Sequence, residues 1–286
     1  MIQENDNFTW PLLLPTLRSR CPVAATPPDS EPAERLDAVI ISDIHLGSTN
    51  CQASALGELL QQILDGKLHT RRLIFNGDVF DSIDFRRLKK HHWKVLSLIR
   101  HLSDKMEVVW IAGNHDGPAE IVSNLLGVSV VGQYILTSGP RRILIVHGHQ
   151  FDRFIQDHPV LTWLADCAYA LLQKSDRSHY IARLAKRQSK VFLRCERKVR
   201  DGAVAMARHA KCDAVICGHT HHPVVEDEGP VRYYNSGCWT ERPCHYLTIR
   251  QGVVTLAETS EILAVQEIES MPLARRAPQQ SEPSSR

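Results

Sequence analysis

Six short apolar runs in this sequence each stop abruptly at a cluster of Asp, His, Asn and Gly. That pattern narrows the fold more than any other feature. The clusters are Asp43-Ile44-His45, Gly77-Asp78, Gly113-Asn114-His115-Asp116, His147-Gly148-His149, Gly218-His219-Thr220-His221 and Asn235-Ser236-Gly237. A buried run followed at once by ionisable side chains makes a poor core but holds ligands rigidly at a rim. Open α/β sheets bind their ligands in the loops beyond the carboxyl ends of strands.

The runs themselves read as strands at 37–42, 72–76, 107–112, 128–131 and 142–147, then at 213–217, 231–235, 244–249 and 252–257. Helical spacing covers 53–65, ending at Gly66, and 86–103. The stretch 152–211 differs in kind, being helical and rich in Lys and Arg. Alternating strands and helices with late hairpins predict a layered α/β sandwich carrying a helical insertion. Residues 1–34 read as a disordered or loosely docked arm and 271–286 as a disordered tail, leaving 35–270 as the folded domain with 152–211 inserted.

Composition enters mainly by exclusion. The 286 residues are 43% hydrophobic and 23% charged, with a formal net charge of +2, so the molecule as a whole is steered toward no partner class. Eight cysteines occur without a C-x-x-C pair, which reads as reduced thiols and a cytoplasmic setting rather than a disulfide or zinc-ribbon framework. Cys217 lies in an apolar run and reads as core rather than nucleophile. The first residues lack signal-peptide features: Glu4 and Asp6 replace a basic start, and Pro11 and Pro15 bound the short run Leu12–Leu14. No stretch approaches the roughly 18 apolar residues of a membrane span.

Carboxylate, imidazole and amide oxygen without thiolate suit divalent ions such as Mn²⁺, Fe²⁺ or Zn²⁺. In an extended segment, the i, i+2 spacing of Asp43 with His45, and of His219 with His221, places both side chains on one side. A single D-x-H or G-D carries little information. The ordered set D-x-H, G-D-x-x-D, G-N-H-D, H-G-H and G-H-T-H over residues 37–257 resembles the calcineurin-like metallophosphoesterase superfamily. The resemblance implies a four-layer sandwich of two mixed β-sheets flanked by helices, and two divalent ions, Mn²⁺ being the leading expectation. By position, Asp43, His45 and His221 correspond to ligands of one ion and Asn114, His147 and His219 to ligands of the other, with Asp78 bridging. His115 corresponds to the donor to the leaving oxygen, with Asp116 orienting it, and Asp81 to a support of its loop. The chemistry implied is hydrolysis of a phosphoester or pyrophosphate by attack of a metal-bound hydroxide, the ions standing roughly 3.5–4 Å apart.

From Lys174 to Lys211 there are twelve Lys or Arg against three Asp or Glu. Apolar residues Ile181, Leu184, Ala185, Val191 and Leu193 give these helices a packing face. Such a surface attracts anionic lipid or a phosphate-rich substrate, and Lys186, Lys190 and Arg194, with His149, Asp152 and Asn235, are the candidate substrate contacts. No nucleic-acid motif accompanies the charge. The segments H-G-H-Q-F-D, W-L-A-D-C-A-Y-A-L-L, V-I-C-G-H-T-H and Y-Y-N-S-G-C-W-T-E resemble bacterial UDP-2,3-diacylglucosamine pyrophosphatase-like proteins. That likeness implies a nucleotide-linked lipid substrate, contact with the inner membrane surface, and a lid at 152–211. Three positions depart from it: His115 stands where that branch has Arg, His149 where it has Asp, and Cys238 where a related ending has Asp. The alternatives are a phosphodiesterase of cyclic nucleotide, phospholipid or nucleic acid, and a non-catalytic scaffold of the same fold. A protein Ser/Thr phosphatase is disfavoured, because Ser82 and Asp116 replace the residues of the G-D-x-x-D-R-G and G-N-H-E patterns.

Overall fold

The computed structural model describes residues 35–152 and 190–259. The expected arm at 1–34, the insertion over 153–189 (with Ile181, Leu184, Ala185 and Lys186) and the tail from 260 onward lie outside the described residues.

Nearly every strand residue of the first motifs is apolar because both faces of each strand are covered. In β1 (Ala38–Ile41), Val39 and Ile41 face one core while Ala38 and Ile40 face another. The same alternation runs through β2 (Arg72–Asn76) and β3 (Glu107–Ile111): Leu73, Phe75, Val108 and Trp110 point one way, and Ile74, Val109 and Ile111 the other. Period-2 side-chain alternation with two buried faces yields an unbroken apolar run. Each fully buried Ile, Leu or Val contributes roughly 1.5–3 kcal/mol over an exposed one.

β1, β2, β3 and the short β4 (Ser129–Val131) pair in parallel. The second sheet begins with β5 (Tyr134–Ser138) and β6 (Arg141–Ile145), an antiparallel hairpin. β6 then pairs in parallel with β7 (Ala214–Cys217), which pairs in parallel with β9 (Val231–Asn235), and β8 (Val224–Glu228) closes the edge antiparallel to β9. The chain returns to the first sheet through β10 (His245–Arg250) and β11 (Val253–Glu258). The orders are β11-β10-β1-β2-β3-β4 and β5-β6-β7-β9-β8. Two mixed sheets thus face each other across the core that holds Ile40, Ile74, Ile111, Ile143 and Ile216.

Helices cover the outer faces. α1 (Ala53–Leu64) buries Leu56, Leu59, Leu60 and Ile63, and α2 (Lys90–Ser103) buries Val95, Ile99 and Leu102, both against the first sheet. α3 (Ala119–Leu126) packs beside β4 and ends where Gly127 turns left-handed. α4 (Lys190–His209) lies on the second sheet through Ala203, Val204 and Ala207, with Val199 buried on the same stripe of a 3.6-residue period. Arg194, Arg197 and Lys198 of α4 are exposed. Four layers, helix–sheet–sheet–helix, result. No helix among the described residues is long and apolar enough to cross a membrane.

The expected helix at 86–103 begins later, at Lys90. A 3₁₀ turn at Phe85–Arg87 precedes it, capped by the Asp84 carboxylate on the Arg86 N–H, and Leu88 is extended. α3, β5 and β8 were not expected from the sequence.

Gly57 lies inside α1, and a Cβ there would meet nothing within 4 Å. Gly57→Ala therefore raises stability by about 0.5–1 kcal/mol, since it removes backbone entropy without a clash. Urea denaturation reads this as a higher midpoint; a lower midpoint contradicts the packing described for α1.

Candidate metal centre

The motif loops leave β1, β2, β3, β6, β7 and β9 at one end of the sandwich, from both sheets. The first two are joined by main-chain bonds. Asp43 N–H donates to the Gly77 carbonyl at 3.0 Å, Ile44 and His45 N–H both donate to that of Asp78 at 2.9 and 3.0 Å, and Leu46 N–H donates to that of Val79 at 2.7 Å. Ile44 and Leu46 anchor the loop in the core, fully buried.

The expected extended geometry of D-x-H and H-x-H is corrected by the structure. Asp43 and His45 both have φ of 53°, His219 66° and His221 60°, and Asp78 has 52°. Each motif alternates left-handed and ordinary residues, so i and i+2 face the same side through a kinked backbone. Non-glycine residues rarely adopt this region, which costs of order 1–3 kcal/mol apiece and clusters at functional sites. Five of the seven described non-glycine residues with positive φ belong to the expected ligand set, the others being Lys211 and Gln251.

Three groups of donors converge among the described residues, two of them formed by the motif residues alone and the third, Asp152 with Cys195, sharing His219. Asp43, His45 and His221 bring ligand atoms within 4.8 Å of one another, as do Asp78, His147 and His219. In the first, His45 Nε2 lies 3.1 Å from His221 Nε2, which lies 3.2 Å from Asp43 Oδ1. In the second, His147 Nε2 lies 3.2 Å from Asp78 Oδ2. Asp78 Oδ1 accepts the His115 N–H at 2.9 Å, which brings the exposed Asn114 to the same rim.

His147 tests whether this donor set fits a cation. Its Nδ1 is 2.8 Å from the buried Asn76 carbonyl, so Nδ1 carries the proton. Nε2 is buried and makes no hydrogen bond, although the Asp78 carboxylate is close. A lone pair facing a carboxylate oxygen calls for a proton or a metal ion between them. Imidazole nitrogens and carboxylates without thiolate are the donors borderline divalent ions take, so the residues fit.

The electrostatics agree. Burial opposes ionisation of Asp78, but His147, then His45, hold its carboxyl well below the ordinary range. Asp43 is likewise lowered against its burial, chiefly by His221. Burial works against protonation of His147, yet Asp78 and Asp43 raise it to about 9. The Asp78 carboxyl feels histidines of both groups, as a shared ligand must.

Several expected residues sit elsewhere than the sequence suggested. Asp116 does not bond the His115 ring. Its buried carboxylate accepts from the N–H groups of Asp78, Val79, Phe80 and Gly113 and from Trp110 Nε1, at 2.8–3.1 Å, pinning two motif loops together. His115 is exposed, and its Nδ1 lies 3.0 Å from the Asp81 carbonyl. The Asp81 carboxylate stands 3.5 Å from His45 Nδ1 and 2.5 Å from Arg87.

Asn235 is fully buried, so no substrate reaches it; its amide braces the G-H-T-H loop, donating to the Gly218 carbonyl at 2.7 Å and Thr220 Oγ1 at 3.1 Å. Asp152 is also buried and lies against His219. His149 is half-buried beside His147, with Nδ1 making no hydrogen bond; burial, then His147 and His219, push it down to about 4. Arg194 is exposed on α4, the Lys190 side chain is not among those described, and Lys186 lies outside the described residues. Cys217 is buried in the core, and burial pushes its thiol far up.

The loops approach one another so closely that glycine is required at three places, among them Gly77, where a Cβ would fall 2.3 Å from His147 Nδ1. A Cβ on Gly113 would fall 2.2 Å from Asp78 N and Oδ1, and one on Gly218 would fall 2.4 Å from Asp43 Oδ2.

A family profile described as calcineurin-like phosphoesterase matches residues 37–223, more than half of the chain. The comparison with curated proteins gives no match. Among solved structures, the chain is similar to Yfce, a phosphoesterase from E. coli, at 16% identity and a TM-score of 0.44, covering 78% of this chain and 93% of that one. It is similar to zinc-complexed Vps29 from Entamoeba histolytica at 13% identity and a TM-score of 0.39, covering 77% and 97%. It is also similar to an archaeal phosphodiesterase at 13% identity and a TM-score of 0.42, covering 77% and 98%.

Two outcomes follow from this geometry. Gly218→Ala pushes a methyl group into Asp43 and lowers Mn²⁺ affinity at least about 10-fold, on the scale of lost ligand support; titration calorimetry measures it, and wild-type affinity contradicts the close approach. Because His147 is held protonated up to about pH 9 without a cation, binding must displace that proton. Affinity therefore rises with pH through that value, and calorimetry at pH 7 in buffers of different ionisation enthalpy shows proton release. Binding without proton release contradicts the His147–Asp78 pairing.

Proposed function

The chain belongs to the calcineurin-like phosphoesterases, and from that premise we propose that it hydrolyses a phosphoester or pyrophosphate bond with two divalent cations held by the converging loops. Asp43, His45 and His221 hold one; Asn114, His147 and His219 hold the other; Asp78 serves both. The observation that carries this reading is the pair of donor groups, each within 4.8 Å, with the Asp78 carboxyl under the influence of histidines from both. Mn²⁺ is the leading ion, with Fe²⁺ and Zn²⁺ compatible with the same donors.

Bound divalent cations supply charge that polarises a phosphoryl oxygen and acidifies water. The chain's part is to hold its donors in place before substrate arrives, through Asp116, Asn235 and the joined loops. His115 stands at the open rim, its main chain fixed by Asp78 and its Nδ1 by the Asp81 carbonyl. Nε2 is then the position from which the imidazolium gives a proton to the leaving oxygen.

For the substrate, we infer a nucleotide-linked lipid of the UDP-2,3-diacylglucosamine kind. This rests on the H-G-H-Q-F-D, V-I-C-G-H-T-H and Y-Y-N-S-G-C-W-T-E segments and on the exposed cations Arg194, Arg197 and Lys198 of α4. Those cations also suit an anionic membrane surface and a cytoplasmic protein working against it. His149 near the second donor group marks where substrate contacts depart from that branch, while Cys238, the other departure, is buried beside Trp239.

Chelation abolishes hydrolysis of bis(p-nitrophenyl) phosphate, and Mn²⁺ restores it. Asp78→Ala stays at least about 10³-fold below wild type even in excess Mn²⁺, a loss on the scale of removing a key electrostatic group. Full turnover by metal-stripped protein contradicts the mechanism. A panel of UDP-2,3-diacylglucosamine, cyclic AMP, a phospholipid and DNA, all with Mn²⁺, tests the substrate; preference for any of the last three rejects the lipid pyrophosphate.

A further inference from the structure

Behind the second donor group lies a cluster that the reaction as described does not use. Asp152 follows the short 3₁₀ turn His149–Phe151, and its side chain is 1% exposed. Its Oδ2 is met from two directions, by the Cys195 thiol of α4 at 2.8 Å and by His219 Nε2 at 3.3 Å. His219 is held on its other side as well: its main-chain N–H donates to both oxygens of Asp43, each at 3.0 Å. One carboxylate thus fixes the backbone of His219 and another faces its ring.

A neutral imidazole has one N–H and one lone pair, and a carboxylate facing one nitrogen draws the proton there. We infer that Asp152, itself steadied by the Cys195 thiol, is a positioning residue that keeps the proton of His219 on Nε2 and so offers Nδ1 to the cation. Asp152 acts through His219 and touches no substrate. Cys195 extends the same chain of contacts to α4, the helix that carries the exposed cations. This inference rests on the two-cation reading above.

Zn²⁺ is a diamagnetic probe suited to the test. Long-range ¹H–¹⁵N spectra of zinc-loaded, ¹⁵N-histidine protein are expected to show His219 with a metal-bound Nδ1 and a protonated Nε2. In Asp152→Asn, calorimetry is expected to show one zinc bound as in wild type and the other weakened about 10–100-fold, the usual effect of losing a carboxylate behind a ligand histidine. A zinc-bound Nε2 on His219 in the wild-type protein overturns the inference while leaving the two-cation reading intact, and that measurement does not depend on any variant folding. Two zinc ions bound by Asp152→Asn with wild-type affinity overturn it equally. If wild-type protein takes up zinc at neither group, the two-cation reading itself falls and this inference with it.

Discussion

Asp43 and Asp78 are 0% and 2% exposed where the two sheets meet. An ionised carboxylate stripped of water is costly unless positive charge and hydrogen bonds replace its hydration. Within the polypeptide the replacements are His221 for Asp43 and His147 for Asp78, together with the N–H groups of His219 and His115. The proposed cations take over from those protons. Much of the surrounding structure exists to bring opposite charge to these two residues.

Five strained residues at one rim need a surrounding framework that over-determines their backbone. Asp116 supplies one such restraint, gathering four N–H donors from two loops and a fifth from Trp110 of β3. Asn235 supplies another at the G-H-T-H loop. Ser42 and Ser236, 2.7 Å apart through their hydroxyls, link the loop after β1 to the loop after β9 across the sheets. These contacts are buried, where hydrogen bonds are strong and unmade ones expensive. The rim is therefore rigid before anything binds, as transition-state electrostatics require.

Each donor group draws on both sheets, and each contains a histidine backed by a carboxylate: His45 by Asp81 and His219 by Asp152. The first pair ends on Arg87, beside the loops of the first sheet. The second ends on α4, which packs on the second sheet. On the proposed reading, cation binding and substrate recognition are adjacent on the α4 side. The fold supplies the rim, while specificity lies in residues grafted upon it; the substrate reading proposed above assigns that part to His115, His149 and the exposed face of α4.

Strands β1, β2, β3, β6, β7 and β9 were legible because burial on both faces writes itself as an apolar run, and the ligand clusters were legible because each ends such a run. β8 was not, since Val224–Glu228 carries three acidic residues and is a strand only because β9 pairs with it at the sheet edge. α3 was missed because its eight residues leave Ile121 and Leu125 exposed, blurring the stripe that marks a packed helix. Asp116, Asp152 and Asn235 were recognised as polar residues near the site, but their roles depend on which N–H groups and rings fold over them. Residue identity and spacing along the chain determined the donor chemistry and the order of the elements, because both are local. The left-handed backbone at the expected ligands, the placing of the Asp78 carboxyl near histidines of both groups and the burial of Asp152 against His219 were decided only when distant loops met, because desolvation and hydrogen-bond partnership belong to the packed whole.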